Sequence, residues 1–205
     1  ERNPVRDIRI VRSVVDGQYV FVQAYQDINN GEARWVTTDL FDTDADDKIV
    51  EHWDVIAPYV DETVSGRTQI DGPTEITDLE ATESNKRLVG EFLDEVLVNG
   101  NAARAVDFIS TETYHQHNPQ VGDGLDGFAA FAAELANEGK ALRYEEVFKL
   151  IGQGNVVVSY SRMSLGEEQY AVFDIFRLEN GQIVEHWDNM EVIPPPGQWG
   201  NSGKF

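Results

Sequence analysis

All four histidines of the chain sit inside motifs. His52 and His186 lie in two copies of "IVEHWD", at residues 49–54 and 183–188, and His115 and His117 lie in "YHQHNP". Imidazole titrates near neutrality and is the usual proton carrier, so His117 and His186 are candidates for acid/base work or for polarising an oxygen. The bland alternative for His52 and His186 is a sheet histidine satisfied by neighbouring carboxylates. His115-x-His117 on an extended segment would share one face, a spacing that metals use, but Asn118-Pro119 follows at once and the flanking residues are not ligand types; no metal is expected. Asp174 stands in "AVFDIFRL". Strand alternation puts Val172, Asp174 and Phe176 on one face, where a desolvated carboxyl would have its pKa raised, as a general acid/base requires. The competing reading pairs Asp174 with Arg162, Arg177 or a helix N-terminus.

The elements that must hold these groups follow from a repeat. Before the second IVEHWD lies "EEQYAVFDIFRLENGQ", a strand closed by Asn180-Gly181, a strong hairpin signal. Before the first lies "GEARWVTTDLFDTDADDK", and Asp39-Leu40-Phe41 matches Asp174-Ile175-Phe176. Further back "VVDGQYVFVQAY" matches "LIGQGNVVVSY", and "VRDIRIVRS" matches "LRYEEVFKL". Each copy therefore reads as four antiparallel strands joined by short turns, with one apolar face that needs cover.

The second copy carries its cover. Residues 80–99 place Leu88, Phe92 and Val96 on one helical face with Thr82 as an N-cap candidate. Residues 101–108 read as a second short helix, "YHQHNP" as a short extended segment, and "GDGLDGFAAFAAELANEG" as a turn and a third helix stopped by Gly139. The fold class is α+β: a cone-shaped curved antiparallel sheet covered by three helices, with a partial second copy at the N-terminus. The first copy has no helices of its own, so its sheet is covered by upstream residues, by another subunit, or by the second sheet in a pseudo-dimer. The expected domains are 1–60, a linker at 61–79, the complete domain at 80–193, and a Pro/Gly-rich tail at 194–205, a lid or packing arm anchored by Trp199.

Composition narrows the partners. Sixteen Lys+Arg against 37 Asp+Glu give a net charge of −21, and five of the basic residues are Lys. That excludes nucleic acid and anionic membrane surfaces, which need a basic footprint. So large a charge with few Lys fits a protein from a halophile. No apolar run is long enough to span a membrane and no secretory leader opens the sequence, so a cytoplasmic location is expected. Without Cys there is no disulfide or thiol chemistry.

The run "TETYHQHNPQVGDGLDGFAAF" with "DIFRLENGQIVEHWD" downstream resembles the SnoaL-like polyketide cyclase group of the nuclear transport factor 2-like superfamily. The resemblance covers residues 80–193 as a whole domain and 5–58 as the C-terminal half of another. It implies a small apolar or carbonyl-containing ligand, no cofactor, and Asp174 as the acid/base of an aldol-type ring closure. The position matching His115 is commonly apolar in the group, which leaves His117 as the stronger candidate of the two. Tyr160 in "VVVSYSRM" stands where the group often has His, and would donate a hydrogen bond to an enolate oxygen. Tyr114, Asn118, Phe128, Phe176 and Trp187 are expected around the ligand, although Trp187 and Trp53 also suit plain packing. A homo-oligomer or an internal pseudo-dimer is expected. Because this fold hosts many activities, a cyclase or isomerase stands beside a non-catalytic ligand-binding or assembly module.

Overall fold

The computed structural model describes residues 5–205, so residues 1–4 of the expected first domain lie outside the described residues. Four strands open the chain: β1 (Arg6–Asp16), β2 (Tyr19–Ile28), β3 (Ala33–Thr43) and β4 (Ile49–Pro58), an antiparallel sheet in that order. After an irregular segment come α1 (Thr82–Phe92), continued by a wider turn over Leu93–Val98, and a short 3-10 helix at Ala102–Asp107. Then follow β5 (His115–Gln116), α2 (Gly124–Asn137), β6 (Leu142–Gln153), β7 (Val156–Leu165), β8 (Glu168–Glu179) and β9 (Gln182–Val192). The second sheet has the order β5-β9-β8-β7-β6, with β5 parallel to β9 and every other pair antiparallel. This is the α+β arrangement of curved sheets and few helices that the sequence suggests.

The β8–β9 turn is Asn180-Gly181, both with positive φ (51° and 73°), as a type I′ hairpin requires. Helix α2 ends before Gly139, whose φ of +72° closes it. Thr82 does not cap α1 with its side chain; its hydroxyl instead accepts from the Gly154 N–H at 2.8 Å.

Register gives the two sheets a common grammar. In the first, Asp39 pairs with Asp54, Leu40 with Trp53 and Phe41 with His52. In the second, Asp174 pairs with Asp188, Ile175 with Trp187 and Phe176 with His186. With a side-chain period of two, identical register sorts the repeat onto faces identically. One face of each sheet meets the other sheet: Val14, Phe21, Leu40 and Val55 pack against Val158, Tyr160, Phe173, Ile175 and Trp187. Phe21 and Phe173 stand 5.5 Å apart, and Phe173 stacks on Tyr160 at 4.2 Å. Each such side chain contributes about 1.5–3 kcal/mol when fully buried. The second sheet is therefore what covers this face of the first. The far face of the first sheet carries no helix among the described residues; Ile8, Ile10 and Val15 are exposed there, and Asp39 meets His52 at 2.9 Å.

Residues 61–79 connect the sheets but are no free tether. The Val64 N–H donates to Pro119 O, Ser65 Oγ to Gln116 O, and Trp187 Nε1 donates to Asp71 O. This strap is docked along its length. The tail does not close a cone mouth, and Trp199 is not its main anchor: Phe205 stacks on Phe148 at 4.0 Å, and Lys204 Nζ donates to Glu191 at 2.9 Å.

Candidate functional site

The helix-side face of the second sheet holds the polar groups. Alternation along β8 turns Val172, Asp174 and Phe176 to this side, and β9 adds His186, Asp188 and Met190. Asp174 is wholly buried. Its Oδ1 accepts from Tyr144 Oη at 2.9 Å and lies 3.1 Å from His186 Nε2, while Oδ2 accepts from Ser159 Oγ at 3.2 Å. Asp188, directly opposite Asp174, accepts from Asn118 Nδ2 at 2.7 Å.

The tripeptide Gln116-His117-Asn118 fixes how these groups point. Gln116 Oε1 accepts from the backbone N–H groups of His117 (2.9 Å) and Asn118 (3.0 Å), which settles the amide as oxygen toward them. The same oxygen is 3.0 Å from His186 Nδ1, so that nitrogen carries the proton and donates. Nε2 is then left facing Asp174, and the two groups share the next proton between them. The Asn118 amide is fixed likewise, because its Oδ1 accepts from the Gln120 N–H at 2.7 Å.

Electrostatics follow from burial and proximity. Burial favours the neutral form of Asp188, and the charge of Asp174 adds to it; both outweigh His186 and Asn118, so its pKa is raised. Burial works against the His186 imidazolium, but the hydrogen bond and charge of Asp174 and the charge of Asp188 prevail, so its pKa is raised as well. Burial, followed by the neighbouring carboxylates, also pushes up the Tyr114 and Tyr144 phenols; Tyr144 donates to Asp174, whereas Tyr114 accepts from Gln116 Nε2. Asp174, His186 and Asp188 each offer a ligand atom within 4.8 Å of the others, a donor set that a divalent cation could share.

The groups open onto a cavity of about 60 Å³ walled by Tyr114, Phe128, Phe131, Met163, Val172 and Phe176. Ligand pockets usually offer about 300 Å³ or more, so the closed cavity holds only a few atoms. The outer wall is α2, whose Leu135 is its one buried residue, with Phe128 and Phe131 half-buried.

The structure brings Asp174, His186, Tyr114, Asn118, Phe128 and Phe176 around one cavity. It puts three other candidates elsewhere. Tyr160 is in register with Phe173, so it faces the first sheet, where its hydroxyl donates to Lys204 O at 2.5 Å. His117 lies behind the cavity: Nε2 meets Glu185 Oε1 at 2.8 Å, Nδ1 lies 2.7 Å from Thr68 O and 2.8 Å from Asp71 Oδ1, and the ring stacks on Trp187 at 4.5 Å. Trp187 is held there too, with the Arg12 guanidinium 4.0 Å above its ring. Burial in this seam lowers the Arg12 pKa to about 10. Arg177 pairs with Glu185 at 2.6 Å and Arg162 lies over Phe148 and Phe205, so neither is the partner of Asp174. His115 shares no metal-like set with His117; its Nδ1 stands 3.9 Å from Glu185.

Gln116, Tyr144, Ser159 and Asp188 are site residues that the sequence reading does not single out. Ser159 was within reach, since the strand neighbour of Tyr160 must face the other way; Tyr144 had no signal of its own.

A helix-capped curved sheet thus holds a buried carboxyl–imidazole pair. A family model described as a SnoaL-like domain matches residues 89–186. No curated protein matches the chain. Among solved structures, a candidate SnoaL-like polyketide cyclase from Jannaschia sp. CCS1 is 19% identical over 58% of this chain and 92% of its own, with a TM-score of 0.46. A candidate ketosteroid isomerase from Kribbella flavida DSM 17836 is 16% identical over 58% and 87%, with a TM-score of 0.45. An epoxide hydrolase from M. tuberculosis is 18% identical over 54% and 84%, with a TM-score of 0.42.

Proposed function

We propose that the second sheet and its helices form a small-molecule enzyme of the cyclase or isomerase type, working by acid/base chemistry on a carbonyl compound. The observation that carries this reading is the buried Asp174–His186 pair, held at 3.1 Å on the wall of an apolar cavity. Asp174, backed by His186, takes a proton from the carbon next to the carbonyl. Tyr144 and Ser159 stabilise the carboxylate by donating to both of its oxygens. Asp188, whose neutral form burial favours, stands beside the pair where its protonated form can donate to the oxygen on which negative charge develops, and His186 returns the proton. Neither His117 nor Tyr160 has a part.

The test is solvent exchange. In D2O a panel of small ketones should gain deuterium at the α carbon in the presence of the protein. Asp174→Asn should slow that exchange by about 10²–10⁴-fold, the usual worth of a positioned base. Exchange unchanged in the variant would remove the assignment. The small size of the cavity favours one other reading, a module that binds without reacting; it would give binding of the ketones with no exchange above background.

We further infer that the two sheets descend from one duplicated unit and act as an internal pseudo-dimer, which the shared register and repeated hexapeptide support.

A further inference from the structure

A second cleft, of about 240 Å³, adjoins the cavity. It shares Asn118, Asp188 and Met190 with the cavity, and its other side is built by Pro58 at the end of β4, by Val60 just after it and by Gln69 of the strap. Gln69 is 4% exposed. Its Oε1 accepts from the Val60 N–H at 2.8 Å, which fixes the amide and leaves Nε2 without a hydrogen-bond acceptor among the described residues. Nε2 is not shut off from solvent, so an acceptor that enters the cleft can take the place of water on it. An anion is disfavoured there, because the molecule carries a net charge of −21.

We propose that this cleft is the second half of the substrate site, and that the substrate is an elongated neutral molecule with two carbonyl groups. The reacting carbonyl enters the cavity at Asp174, His186 and Asp188. The second, of amide or ester type, extends past Asp188 and accepts from Gln69 Nε2. Val60 and Pro58 pack against the chain between the two groups. The first sheet and the strap thereby take part in recognition, although they hold none of the acid/base groups. This inference rests on the proposed function for the reacting end alone.

Binding separates the two claims. The probes are N,N-dimethyl-5-oxohexanamide, which is neutral and has a strong acceptor but no donor at its far end, octan-2-one, which lacks that acceptor, and 5-oxohexanoate, which is anionic. Calorimetric or ligand-observed NMR titration of the whole chain should show the dimethylamide binding at least tenfold more tightly than octan-2-one, with the anion weakest. Gln69→Glu keeps the acceptor for Val60 and the shape but turns the donor into an oxygen; Val60→Phe fills the cleft and leaves the polar atoms of Gln69 alone. Both should reduce the tenfold advantage to less than twofold, Gln69→Glu with octan-2-one binding as before and Val60→Phe with both probes weakened. Equal affinity for the dimethylamide and octan-2-one, tightest binding of the anion, or an advantage that survives both substitutions would overturn the proposal. The same preference measured in Asp174→Asn should persist, so loss of chemistry and loss of the cleft are read separately.

Discussion

Asp174 and Asp188 face each other across β8 and β9, and His186 lies on the diagonal between them, so the three form one cluster. Two of its members have raised pKa values, His186 from 6.5 and Asp188 from 3.8. A group whose folded pKa is raised adds stability below its unfolded pKa and loses it as pH rises through the folded value. The wild type should therefore lose stability as pH climbs above about 6.5, and His186→Gln should show a smaller loss over the same range, read from urea midpoints at several pH values. Parallel pH profiles for the two proteins would contradict the assignment. The orientation of Asp174 was readable because the strand period of two puts it on the face of Val172 and Phe176, whereas Tyr160 was misplaced because strand-to-strand register depends on turn geometry. A one-residue shift in register moves a side chain to the opposite face. His117 was misplaced because β5 is only two residues long, so alternation ends before it reaches that ring.

At the scale of elements the strap is the least legible part. Residues 61–79 have no hydrophobic period and many turn formers, and nothing in them signals that Gln69 would be buried or Asp71 held against Trp187. What holds the strap is a set of individual contacts, and Gly72 shows how close they are. A Cβ there would fall 2.6 Å from Glu185 Oε1 and 2.9 Å from the Trp187 ring, at a φ of +86°. Gly72→Ala should destabilise the fold by about 2–4 kcal/mol, from backbone strain and the clash together. A urea midpoint within error of the wild type would mean that the strap does not dock as described. The helices and hairpins, in contrast, were legible from amphipathic spacing, Gly139 and Asn180-Gly181, since those signals are local.

For the whole molecule, the seam between the sheets makes the two halves one cooperative unit. Phe21 is fully buried in that seam beside Phe173. Phe21→Ala should cost about 3–5 kcal/mol and lower a single thermal transition. Two separate transitions, only one of them shifted, would show that the halves fold independently. The sequence left three candidates for the cover of the first sheet because a meander carries its apolar face openly but not the identity of what packs on it. The charge of −21 belongs to this scale as well. If it is an adaptation to brine, Tm should rise steadily from low to molar KCl as self-repulsion is screened. A flat Tm would remove that reading.

The most direct test of the central claim is nitrogen NMR of His186 in the wild type and in Asp174→Asn. The expected result is a proton fixed on Nδ1, as the hydrogen bond to Gln116 demands, with Nε2 titrating above the ordinary imidazole range and falling back when Asp174 loses its charge. A ring that titrates as a free imidazole in the wild type, or identically in both proteins, would contradict the account.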